Sequence, residues 1–124
     1  MYEGQPALHI AGQIMIAILY LGTGAINATT KVRQHQTRMV DAGVPEGLAG
    51  PLLWFGFALQ FIGGFMLIAD YRTDIAAVIL IIFTIVASAI FHRFWLVEDP
   101  MRRHYHLSFL FGNCAIVGGL LLLI

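Results

Sequence analysis

Four stretches of the chain carry no Asp, Glu, Lys or Arg: residues 7–28, 48–69, 75–91 and 107–124. All fourteen charged side chains lie between or beyond them. A hydrocarbon core of about 30 Å is crossed by about 20 apolar residues in helical form. The first two stretches are each 22 residues long, and the last two reach that length with their polar flanks. None shows the polar stripe of period 3.6 that a helix on a soluble core would present. Runs such as "AAVILIIFTIVASAI" do not alternate in polarity as barrel strands do, and lipid requires the backbone to satisfy itself within one segment. The pattern predicts an all-α integral membrane four-helix bundle. It is one domain, residues 1–124, with spans at about 7–28, 48–69, 75–91 and 104–124.

The segments between the spans have their own structure. In "TKVRQHQTRMVDAGVPEG", Val32, Gln36, Met39 and Val40 share a face of a short helix, placed at 31–42 and lying on the membrane surface. Gly43 suits its end and Pro45 prevents its continuation. The second span is expected to start near Gly50–Pro51, with proline in the tolerated first turn. Further on, Asp99 suits an N-cap and Pro100 the first helical position. A helix from there through residue 124 has about 25 residues and is about 37 Å long at 1.5 Å per residue. Its first two turns therefore lie in the headgroup layer. Phe94, Trp95 and Tyr105 fit an interfacial aromatic belt there, with Arg93, Arg102 and Arg103 as anchors.

Composition agrees: 59% of residues are hydrophobic and 11% charged, against about 25% charged in ordinary soluble domains. Zero formal net charge gives no reason to expect nucleic acid. The distribution of basic residues sets orientation. Lys31, Arg33 and Arg38 precede the second span and Arg93, Arg102 and Arg103 the fourth, whereas the "DYRTD" loop has only Arg72. The positive-inside rule places the two basic loops in the cytoplasm and both termini outside it. The start, "MYEGQPALH", lacks the basic region of a cleavable signal, so the first span is expected to stay as an anchor. Cys114, the single cysteine, has no intrachain partner for a disulfide.

Candidate chemistry is sparse. The polar residues of the spans are Gln13, Asn27, Gln60, Thr84, Ser88, Ser108 and Asn113. Their first expected role is hydrogen bonding between helices, worth about 0.6 kcal/mol each. Gln60 and Asn113 lie well inside their spans and are the best candidates to hold a quinone or lipid head group. Gly56, Gly63 and Gly64 share a face with Gln60, and Gly112, Ala115 and Gly119 form a second smooth face. Small residues at such spacing let helices approach closely. His104 and His106 point about 200° apart on a helix, so they do not share a metal easily. His92 is placed to meet His104 across the third loop. His92 and His106 are candidates for proton exchange near neutral pH. His9 sits at the mouth of a span, which disfavours a haem or chlorophyll ligand. No P-loop, Ser/His/Asp set, CxxC or HExxH is present, and no metal site is expected.

"HRFW…DP" between the last two spans, "N-x-A-I-x-G-G-L-L-L" over Asn113–Leu122, and the earlier "DAGVP" and "GG…L…YRT" together resemble the DoxX family of small four-helix membrane proteins. The likeness runs over about residues 15–124 and is most specific in the last span. The resemblance implies a bacterial inner-membrane location. It also implies relatives that serve as membrane subunits of quinone-linked oxidoreductases, including a thiosulfate:quinone oxidoreductase, or that join redox-stress complexes. The chain departs from that pattern at three places. Asn27 and Gly112 stand where the family often has Lys, and Gln60 stands where an acidic residue is common. Relays through membranes generally need titratable groups, so their loss argues against independent catalysis. The first expectation is thus a non-catalytic membrane subunit that docks to or stabilises a larger redox or energy-converting complex, or a homo-oligomer. The alternative is a quinone-interacting oxidoreductase subunit.

Overall fold

The computed structural model describes residues 2–124. It is helical throughout: α1 (Ala7–Thr30), α2 (Val32–Asp41), α3 (Glu46–Ile68), α4 (Thr73–Phe91), a 3-10 turn (Phe94–Leu96) and α5 (Pro100–Leu121), with no strand among the described residues. Three segments are long and apolar enough to cross a membrane: α1, α3, and α4 continued through the turn to Leu96. The fifth helix has similar length, but its first two turns carry Arg102, Arg103, His104 and His106. Large apolar side chains face outward all along the chain, Leu8 at 88% exposed and Phe111 at 72% among them. A soluble protein of this size rarely exposes so much contiguous apolar surface, and lipid is the medium that suits it.

The helix ends follow local chemistry. Gly43, at φ 105°, closes α2. There the Val44 amide donates to Met39 O and the Gly43 amide to Val40 O, the paired bonds of a Schellman cap. Asp99 caps α5 by accepting from the Met101 amide, and Pro100 occupies its first position. The second long helix corrects one expectation. It starts at Glu46, capped by Pro45, so Pro51 lies inside α3 rather than in its first turn. Proline there gives up one backbone bond. The α5 helix stops at Leu121, short of residue 124.

Packing is sequential. α1 lies on α3, α3 on α4 and α4 on α5, while α2 lies across the ends of α3 and α4. The main core joins Ala17 and Tyr20 of α1, Leu67 of α3, Ala76, Ala77 and Leu80 of α4, and Leu120 of α5. A second core under α2 gathers Met39, Ala49, Leu53 and Phe57. The last helix is held at one end. A Cβ on Gly119 would lie 3.3 Å from Ile16 Cδ1, and Leu120 is fully buried, but nothing lies within 4 Å of the same position on Gly112. Gly112 and Ala115 are exposed. Of the small-residue face expected on this helix, only Gly119 is therefore packed. The reason is geometric: α5 meets α1 near its C-terminal end and stands away from it toward the other.

Candidate functional site

That divergence leaves a cavity of about 780 Å³ among all five helices. Its lining follows α1 from Leu19 to Lys31, a run of about 18 Å at 1.5 Å rise per residue. The walls are mostly apolar, with Leu52, Phe55, Phe83, Val86 and Phe109 among them. One face of α5, including Gly112, Asn113 and Ile116, closes the side that α1 does not reach.

One end is bounded by a polar belt that ties four helices. The Tyr20 hydroxyl hydrogen-bonds the Thr84 hydroxyl, linking α1 to α4. Thr84 Oγ1 lies 2.7 Å from Leu80 O, its own helix's carbonyl. Gln60 Nε2 donates to Tyr20 O at 3.1 Å and to Thr23 Oγ1 at 2.9 Å, linking α3 to α1. Asn113 Nδ2 donates to Ser88 Oγ at 2.9 Å and fastens α5 to α4. Both amide nitrogens are thus engaged between helices, which leaves the amide oxygens of Gln60 and Asn113 to accept and one Asn113 N–H to donate. Tyr20 and Thr23 were not singled out in the sequence. The available signal was a tyrosine in mid-span, since a buried phenol needs a partner.

The other end is a basic mouth. Lys31, His35 and Arg38 line it from α2 and its N-cap, with His92 from the end of α4. Positions 31, 35 and 38 recur at helical spacing and so share a face. The His35 ring stands edge-on to Phe91, 5.0 Å between centroids, which fixes α2 against α4. Arg93 Nη1 reaches back to Ala42 O at 3.3 Å, tying the turn after α2 to the same place. Across the third loop His92 meets His106, not His104: their Nδ1 atoms are 3.2 Å apart. The 3-10 turn and the Pro100 start bring His106 round to α4, while His104 stays exposed beside Tyr105. In such a bond one ring donates and the other accepts, so at least one of the two is neutral. Arg103 lies over the Phe94 ring at 5.7 Å, and Trp95 and Tyr105 are exposed. Among the described residues no three His, Cys, Asp or Glu side chains converge as metal ligands, and Cys114 is exposed.

A second polar cluster sits at the opposite membrane face. The α3 helix ends in another Schellman cap, with Asp70 at φ 52° in the place that usually takes glycine. Its carboxylate accepts from the Tyr2 amide at 2.9 Å and from Gln13 Nε2 at 3.0 Å. The Tyr2 hydroxyl, 2.8 Å from both Leu67 O and Ile68 O, shares a donated bond between these last-turn carbonyls. Donation from Gln13 first, and from the Tyr2 amide second, holds the Asp70 carboxyl below its ordinary value. Burial, then the nearby Asp70 charge, pushes the Tyr2 phenol up.

Against known proteins, comparison with curated sequences gives no match, and comparison with solved structures gives none either. A family model described as DoxX does match, over residues 9–93. The match takes in α1 to α4 and ends at Arg93, before the last helix, where the likeness had looked densest. It covers well over half of the sequence, and the chain belongs to the DoxX family.

Proposed function

We propose that this protein is a four-span, non-catalytic membrane subunit whose helices hold a lipophilic molecule and present it within a larger assembly. The observation that carries the proposal is the cavity. Ligand sites commonly occupy about 300–1,000 Å³, with apolar walls and a few convergent polar groups, and this one has about 780 Å³ with that lining. The absence of charged side chains from the spans supports holding rather than turnover. The fourth span is α5, entering through its own headgroup-level turns. The location is a bacterial inner membrane, with α2 and the His92–His106 loop on the cytoplasmic side. A reporter fused after residue 124 is expected to be active outside the cytoplasm, and cytoplasmic activity would overturn this orientation.

A quinone is the second reading, favoured by Gln60 and Asn113 both lining the cavity. The Gln60 nitrogen is spent on Tyr20 and Thr23, while Asn113 keeps one N–H beyond its bond to Ser88. That N–H suits a quinone carbonyl, and the two amide oxygens suit the hydroxyl donors of a quinol. His92 stands at the mouth with His106 bonded to it, and protons can exchange with water there.

Filling the cavity tests the proposal. Ala87 and Gly112 both line it, and a Cβ on Gly112 meets open space. The Ala87→Phe/Gly112→Phe variant, extracted in mild detergent, is expected to retain its fold and to lose co-purifying lipophile by mass spectrometry. Equal recovery of the same molecule from both proteins would refute the cavity as its seat.

A further inference from the structure

We infer that the cavity takes an anionic amphiphile, its tail along the apolar walls and its carboxylate or phosphate between Lys31, Arg38 and His92. This rests on the cavity reading and adds the charge of the head group. The first ground is that the mouth is basic and free of acid. Lys31, His35, Arg38 and His92 line it, and no Asp or Glu is among the lining residues. The nearest acids on α2 and α3, Asp41 and Glu46, line a separate groove on the other side of α2, together with Arg33. The helix is thus sorted by charge: acid and base face outward together, and only base faces the cavity. The second ground is that the cations are free. Among the described residues neither Lys31 nor Arg38 has a side-chain hydrogen bond or ion pair to protein. Their charges are uncompensated at the mouth of a low-dielectric space, where an anion gains most. The third ground is placement. Basic residues flanking the spans lie at headgroup depth, so a ligand with its polar end there has its tail in hydrocarbon register with the walls.

The test uses the full-length protein in a maltoside detergent at low salt. Three radiolabelled probes are compared: oleate, lysophosphatidylglycerol, and monoolein as the uncharged head group. A basic side chain near an anionic head contributes about fivefold in affinity, so two are expected to give the anionic probes about a 25-fold advantage over monoolein. The Lys31→Gln/Arg38→Gln variant should reduce that advantage to a few-fold while leaving monoolein binding unchanged. Both side chains are exposed, so the variant is expected to melt with the parent. Raised salt should act like the substitutions. An advantage for only one anionic probe narrows the head group to carboxylate or phosphodiester and supports the inference. Equal binding of all three probes to the parent would overturn the charge assignment and leave the cavity standing. No binding of any probe would overturn both. An advantage left undiminished by the double substitution would place the anion elsewhere and defeat the assignment.

Discussion

Gly63→Ala is expected to destabilise the protein, and Gly112→Ala to leave it as stable as before or slightly more so. Both glycines lie within helices and belong to small-residue faces, so sequence alone treats them alike. A Cβ on Gly63 would lie 2.6 Å from Leu80 Cγ and 2.7 Å from its Cδ2, whereas one on Gly112 meets nothing within 4 Å. Leu80 is fully buried between α3 and α4 beside Ala76 and Ala77, so it has nowhere to move. The helices must part instead. Overpacking of that kind costs about 1–3 kcal/mol, more than the gain of about 0.5–1 kcal/mol from replacing a helical glycine. Gly64 lies between the two cases: its Cβ would be 2.7 Å from Leu21 Cδ2, but Leu21 is half-buried and its end can swing. Thermal melting in detergent, followed by fluorescence of Trp54 and Trp95, should rank Gly63→Leu below Gly63→Ala, then Gly64→Ala, then the parent. A Gly63→Ala protein that melts with the parent would show that the α3–α4 seam has room the geometry does not give it.

The same pair of glycines shows what sequence could and could not tell. The apolar stretches revealed the membrane helices because lipid penalises charge at any position along a span, whichever way the helix turns. Helix caps were legible at Gly43 and Asp99 for a local reason, since each acts on backbone within a few residues. Pro51 misled because proline marks a helix start only when the chain before it is not helical, and Pro45 had already opened the helix. Which glycines are packed depends on where α5 meets α1, a tertiary fact with no local signature. The histidine pairing had the same weakness. The third loop brings His106 to His92 through a 3-10 turn whose length shifts the register of the next helix. Gln60 and Asn113 were legible as polar groups inside spans. Their donors' commitment to Tyr20, Thr23 and Ser88 was not, because those partners sit on other helices. The basic face of Lys31, His35 and Arg38 was present in the spacing, but it had no meaning until α2 was laid over a cavity.

Asp70→Ala is expected to loosen the end of α3 and the chain start together. An acidic residue at a helix C-terminus is disfavoured by the helix dipole, and a non-glycine residue at φ 52° pays a conformational cost. Asp70 holds that place because the Tyr2 amide and Gln13 Nε2 both donate to it. Removing the carboxylate leaves the strain, orphans the Tyr2 amide and leaves Gln13 Nε2 with only its bond to Leu67 O. A hydrogen bond to a charged group contributes about 1.5–3 kcal/mol when well buried, and Asp70 is only half-buried. A loss of about 1 kcal/mol is therefore the expected scale. Asp70→Gly removes the strain as well as the bonds and should melt above Asp70→Ala, and Asp70→Asn should fall between Asp70→Ala and the parent. The pH dependence has a definite sign. The folded carboxyl titrates below its ordinary value of 3.8, so the folded state prefers the charged form. Its contribution is present above that value and is lost as pH falls below it toward the lower folded value. The parent's advantage over Asp70→Asn should hold at pH 6 and shrink below about 3.8. The Tyr2 phenol works from the other side. Raised above 10.0, it favours the neutral, donating form, so its bond to the α3 carbonyls is kept below that value and lost as pH rises through the folded one. Tyr2→Phe removes this donor and leaves the Tyr2 amide in place, so its melting difference from the parent should not change between pH 4 and 7. An advantage of the parent over Asp70→Asn that is equally large below pH 3.8 would mean that shape, and not charge, holds the start of the chain to α3.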